Sequence, residues 1–321
     1  MPSAFRTEAL HGYSCKWSPF NEALLAVATS QYYGVVGNGR LLVLAAAPDS
    51  SELTPTGPGF ETQEGQYDVC WSELNERHLV SSCGDGTLKL WDHLGGGGRP
   101  LLSFQEHQAE AYACDWNLVA KNVFASGSWD DTVKVWTPER AQSVCTFAEH
   151  QRCVYGVAWS PYHAPLLASC AGDGTLKLWD IGAPASTLTI TAHEGEVLSC
   201  DWSRYNDWQL VSGSVDKTVK VWDIRSPAQP VHCLYGHAYA VRRVRCSPHH
   251  ANVLASCSYD MTLRLWDMGV PEALVETLEH HTEFTVGVDF NMFREGQIAS
   301  CSWDETVHTW NHAHGDRPQR T

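Results

Sequence analysis

An all-β chain closed into a seven-bladed β-propeller is the fold that this sequence predicts. Three observations lead there. The same string recurs at a near-constant interval, with "GDGTLKLWD" at 84–92 and again at 172–180. Each interval reads as short strands separated by turns and is long enough for four of them. Seven copies are present, and seven such units can close into a ring that limits exposed sheet edges.

Within a copy the elements keep one order. A histidine comes first, at His107, His150, His193, His237 and His281. An inner strand follows and ends at Trp71, Trp116, Trp159 and Trp202, with Cys246 and Phe290 in the same register. After a middle strand comes a turn marked by Asp85, Asp130, Asp173, Asp216, Asp260 and Asp304, at spacings of 45, 43, 43, 44 and 44 residues. The next strand, "TLKLW" or "TVKVW", alternates apolar and polar residues as a half-buried strand does. A fainter first copy occupies 11–44 and lacks the turn aspartate; Tyr33 stands in its place. The last copy ends at Trp310-Asn311 with no outer strand after it. The extended segment "AFRTEAL" at 4–10 is expected to complete that blade. The expected organisation is one propeller over 1–311 and a C-terminal tail over 312–321. "LGGGGRP" at 94–100 is expected to be a flexible connection on the bottom side.

Composition narrows the function. The 321 residues are 43% hydrophobic, enough for a real core, and the 22 basic against 37 acidic residues leave a net charge of −15. Duplex nucleic acid and anionic membranes both reward Lys and Arg, so neither is an expected partner. A basic partner is favoured, with steering that salt would weaken. The first residues carry no apolar core of a secretory leader, and no apolar run is long enough to span a bilayer. The 12 cysteines form no C-x-x-C pair and are expected to be reduced and buried, without zinc. The chain contains no G-x-S-x-G, Walker or H-E-x-x-H string, and neither an enzyme nor a cofactor is expected.

Repeats of this length ending in Trp-Asp resemble WD40 repeats. The resemblance covers nearly the whole chain. It implies that each histidine joins a buried network with a Ser or Thr, the turn aspartate and the late tryptophan. In the fifth blade these would be His193, Ser212, Asp216 and Trp222. The pair His280-His281 is read the same way: His281 pairs with Asp304, and His280 is a loop residue. The histidines and turn aspartates are thus assigned to structure.

Function should then lie on residues that the fold does not require. Two kinds of position reach the loop-bearing top rim. One is the residue before each turn aspartate: Tyr32, Gly84, Trp129, Gly172, Val215, Tyr259 and Trp303. The others lie six and four places before the end of the inner strand, among them Tyr67, Glu110, Tyr112, Tyr155, Glu196, Arg242 and Phe284. Aromatic anchors beside carboxylates suit an amphipathic, arginine-bearing peptide.

"HGYSCKWSPF", "GHAYAVRRVRCSPHHANVLASCSYDMTLRLWD" and "HHTEFTVGVDF" narrow the resemblance to receptors for the type-2 peroxisomal targeting signal. That resemblance implies a soluble import receptor, cytoplasmic and cycling to the peroxisomal matrix. Its cargo signal is an N-terminal nonapeptide, Arg-aliphatic-x5-(His/Gln)-(Leu/Ala). On a helix its conserved positions share one face, because seven residues make nearly two turns. Glu110 and Glu196 are expected to meet the cargo arginine. Tyr67, Tyr112, Trp129, Tyr155, Tyr259 and Trp303 would take the apolar stripe, with Asp68 as a further acidic point. The resemblance also implies an import co-receptor, the long form of the type-1 signal receptor or a fungal-type equivalent, and the peroxisomal docking complex. Arg242, Glu283 and Phe284 are candidates for touching the co-receptor. An alternative role is a substrate adaptor of a cullin-type ubiquitin ligase, through the W-D-x-R string at 222–225.

Overall fold

The computed structural model describes residues 3–46, 52–95 and 97–312. Gly96 in the glycine connection and the tail from 313 onward lie outside the described residues. Seven antiparallel sheets follow one another around a central channel, and the family of blades accounts for every strand. Blade 3 is typical: Ala111–Trp116, Phe124–Ser128, Val133–Trp136 and Cys145–Phe147, paired in sequence order. The apolar residues of each blade pack against the next. One cluster joins Val133, Val135 and Phe147 of blade 3 to Val154, Trp159 and Trp179 of blade 4. The core is therefore a ring of interfaces rather than a single centre. Among the described residues no helix is long and apolar enough to cross a membrane.

The seventh blade takes its outer strand from the other end of the chain. Ser3–Arg6 pairs antiparallel with Thr306–Thr309, and Phe5 packs on the core shared by blades 7 and 1. The strand is shorter than the extended segment expected over 4–10. Thr7 still donates its N–H to the Glu305 carbonyl at 2.9 Å, but Glu8 and Ala9 take positive φ and turn the chain into blade 1. Deleting residues 1–10 strips the strand Thr306–Asn311 of its outer partner and opens an edge. We expect a lower melting temperature and a tendency to associate, measured by calorimetry and light scattering.

The histidine series bonds to its turn aspartate and strand serine in five blades; the late tryptophan joins the serine in four of them, whereas in blade 7 the Trp310 indole N–H finds no acceptor among the described residues. His107 bonds through Nδ1 to Asp130 at 2.8 Å and through Nε2 to the Ser126 hydroxyl at 2.7 Å, and Trp136 donates its indole N–H to the same Ser126 oxygen at 2.8 Å. His150, His193 and His237 repeat the pattern with Asp173, Asp216 and Asp260. His281 bonds to Asp304 at 2.9 Å and to Ser300 at 2.7 Å. Blade 2 has no histidine here; Asp85 is held by Thr87 and by Lys89 at 3.1 Å.

These networks set an acid limit. Burial alone would raise the five histidine-bonded aspartates, but hydrogen bonds from the histidine and the turn threonine hold each carboxyl well below its ordinary value. Such a group contributes stability that is complete above the unfolded pKa and is lost as pH falls through the folded one. Asp115 opposes this trend: burial pushes it up to about 6 from 3.8, so it favours the fold as pH drops through that window. The net loss is therefore expected below about pH 4, and a pH series of melting temperatures should show a shallow course down to there and a steep fall beyond.

Candidate functional site

The site begins with an irregularity common to all seven inner strands. Each pairs with its middle strand in register except at one bulge, near the strand start. The skipped residue is always the one four places before the strand end: Tyr13, Tyr67, Tyr112, Tyr155, Leu198, Arg242 and Val286. A bulge re-aims a side chain. Here it gathers Tyr13, Tyr67, Tyr112 and Val286 into one buried cluster at the channel mouth.

A second layer sits on that cluster. The residue before each turn aspartate donates its backbone N–H to the carbonyl six places before the inner-strand end. Trp129 bonds to Glu110 at 3.0 Å, Val215 to Glu196 at 3.0 Å, and Trp303 to Phe284 at 3.1 Å. The two sequence-derived rim positions are thus tied together in every blade that has the turn. Trp129 lies 5.3 Å from Tyr112, which in turn lies 5.7 Å from Tyr155 and 5.2 Å from Tyr67. Across the mouth, Tyr259, Phe284 and Trp303 pack at 4.6 to 6.2 Å. At the equivalent places blades 2 and 4 carry Gly84 and Gly172. Gly172 sits beside the Tyr155 ring and Glu196: a Cβ there would lie 3.4 Å from the ring, 3.5 Å from the carboxylate and 3.2 Å from Arg152 Cβ.

Carboxylates collect on the glycine side. Tyr155 donates its hydroxyl to Glu196 at 3.1 Å, which fixes the carboxylate over the mouth. Burial raises the Cys153 thiol, and Asp131, Glu196 and Glu110 raise it further, so all three carboxylates lie within electrostatic reach of one point. The Tyr67 hydroxyl is pushed up to about 12, by burial first and then by neighbours that include Glu110 and Glu64. Glu110 and Glu196 are half-buried, and Trp129 is 38% exposed. The result is a shallow aromatic dish with acid on one side. Apolar faces and half-buried carboxylates in this arrangement can take an amphipathic ligand with one cation.

Two relatives decide the family. The chain is 63% identical over 248 residues to a peroxisomal targeting signal 2 receptor of Dictyostelium discoideum, covering 77% of this chain and 78% of the relative. It is 53% identical over 253 residues to one of Homo sapiens, covering 78% and 77%. The chain belongs to the family of peroxisomal targeting signal 2 receptors. A relative from Arabidopsis thaliana, peroxisome biogenesis protein 7, is 48% identical over 135 residues, or 42% of each chain. Residues 60–92, 98–137 and 272–311 match the WD domain, G-beta repeat, and 137–266 match the EIPR1 beta-propeller. The ligase-adaptor alternative finds no support in these relatives. Its Arg225 is folded back on Asp223, with contacts of 3.0 and 2.6 Å, and lies 5.5 Å over the Trp208 ring.

Against the receptor family's expected site, the structure separates the sequence candidates. Glu110, Trp129, Tyr155, Glu196, Tyr259 and Trp303 face one mouth. Tyr67 and Tyr112 lie beneath them, 7% and 8% exposed. Asp68 is not on the rim. It is 3% exposed, ion-paired to Arg243 at 3.0 Å, and accepts the Cys114 N–H at 3.2 Å. Arg242 is 1% exposed and cannot flank the rim; its guanidinium lies 4.9 Å under the Tyr112 ring. Phe284 belongs to the aromatic cluster, whereas Glu283 is exposed.

Blade 1 adds contacts at the mouth that the expected signal-binding set did not include. Tyr13 donates to the Tyr33 carbonyl at 2.6 Å and Tyr67 to the Gly34 carbonyl at 2.8 Å. Tyr33 stacks on His11 at 4.0 Å. These contacts hold the Tyr32–Gly34 turn of blade 1, where both tyrosines and Gly34 take positive φ and no aspartate is present. The signal was there: Tyr13 shares its place in the repeat with Tyr67, Tyr112 and Tyr155.

Proposed function

We propose that this chain is an import receptor that captures the type-2 peroxisomal targeting signal of cargo proteins in the aromatic dish of its top face. The observation that carries the reading is the joining of a half-exposed aromatic rim to the carboxylates of Glu110 and Glu196, both of which act on Cys153. The signal helix lays its aliphatic stripe on Trp129, Tyr155, Tyr259 and Trp303, and its arginine meets the acidic side. Tyr155 holds Glu196 ready, so little ordering remains for binding to impose. Binding, not catalysis, is the task. A co-receptor covers the occupied face, with exposed Glu283 at its margin, and leads the complex from the cytoplasm to the peroxisomal docking complex.

The test is fluorescence anisotropy with a labelled peptide carrying Arg-Leu-x5-His-Leu, with and without a co-receptor. The control peptide has Asp in place of Arg. Binding that the Asp peptide loses supports the reading; equal binding of both peptides, or of neither in both conditions, overturns it.

A further inference from the structure

We propose that the central channel holds a small inorganic anion, of the size of chloride, between Arg242, Arg243 and Arg245. All three arise from one inner strand, Val241–Cys246, and all three line one cavity of about 20 Å³ beneath the aromatic dish. That is room for a single water or a monatomic ion.

Four buried N–H groups are left for such a ligand. Nε and Nη2 of Arg242, Nε of Arg243 and Nε of Arg245 are buried and find no acceptor among the described residues. The remaining contacts are accounted for. Arg242 donates to the Leu198 carbonyl at 3.3 Å, Arg243 to Asp68 at 3.0 Å, and Arg245 to Asp201 at 3.4 Å. The Arg245 Nε stands 3.7 Å from Asp289, beyond hydrogen-bond reach. Arg242 and Arg243 are 1% and 6% exposed, so bulk solvent does not serve them.

Charge selects an anion over water. The cavity is lined by three guanidiniums and one carboxylate, Asp68. The Asp68 oxygens already accept from Arg243 and from the N–H groups of Val69 and Cys114. A water has two acceptor lone pairs and would leave donors unmet, at a cost that buried charged groups make large. Asp68 already pairs with Arg243, and Asp201 and Asp289 with Arg245, so the charge left without a counterion among the described residues is that of Arg242; a spherical anion offsets it and accepts from several donors at once. A carboxylate or phosphate ligand is too large for the volume.

The experiment is crystallisation of the intact protein purified in bromide, with anomalous diffraction at the bromine edge. An anomalous peak in contact with Arg242 and Arg243 is expected. In solution, at fixed ionic strength, the melting temperature should rise as chloride replaces gluconate, and Arg242→Met should flatten that response. The bromide peak decides the matter even if the variant fails to fold. No anomalous peak beside Arg242 and Arg243, together with a melting temperature indifferent to the anion, overturns the proposal.

Discussion

Reversing the charge at both Glu110 and Glu196, as Glu110→Lys with Glu196→Lys, is expected to abolish measurable capture of a type-2 signal peptide. Each glutamate leaves its connecting loop with its backbone carbonyl tied to the next hairpin, by Trp129 and by Val215. The backbone contacts do not depend on the side chain, so the fold should persist. A charge-assisted hydrogen bond is worth about 1.5–3 kcal/mol, or roughly 10- to 150-fold in affinity. In the proposed binding mode both carboxylates meet the one signal arginine, so their effects should couple rather than add. Lysines add repulsion where attraction stood, and a loss of more than about 100-fold should follow. Salt supplies a second reading. Binding by the unaltered protein should weaken as salt rises, because the acidic side is partly exposed, while any residual binding of the variant should strengthen as salt screens the added repulsion. An unchanged affinity in the double variant, with an unchanged melting temperature, would remove both glutamates from the site.

The sequence exposed the repeat because one network recurs. His, Ser, Asp and Trp must sit at fixed intervals to reach one another, so their spacing survives as a period. The same constraint made the rim positions legible, since they are read by counting from Trp116 or Asp130. What counting could not supply was depth. Tyr112, Arg242 and Val286 hold the same place in their strands, yet one side chain forms the floor of the dish and another reaches beneath it. That difference comes from side-chain length and from neighbours across the channel, which belong to other blades. Asp68 and Glu110 illustrate the same limit. Both are acidic and both lie near an inner-strand start. Asp68 follows the bulge, so it returns to regular pairing opposite Ser82 and meets Arg243 inside the channel. The N-terminal strand is a further case: "AFRTEAL" reads as extended, but Glu305 accepts bonds from both Thr7 and Ala9 and fixes a turn there.

Asp68→Ala offers a sharper separation of structure from binding than any rim variant. Burial alone would raise this carboxyl, but Arg243 and Lys16 outweigh it and the net shift is downward, so the group is an anion in the folded protein. Removing it leaves the Arg243 guanidinium and the Cys114 N–H without their acceptor inside the channel. Breaking one side of a buried pair costs about 3–5 kcal/mol, mainly because the other charge stays behind. At roughly 2 °C per kcal/mol for a chain of this size, the melting temperature should fall by about 6–10 °C. Signal-peptide affinity, measured well below the melting transition, should change little, because Asp68 is screened from the dish by Tyr67 and Tyr112. A residue that contacted the signal would give the reverse pattern, with affinity lost and stability kept. Asp68→Asn refines the comparison. Its amide oxygen can still accept the Cys114 N–H, so it should recover part of the loss but not the part due to Arg243. Equal destabilisation by the two variants would mean that the ion pair, rather than the backbone contact, carries the whole effect.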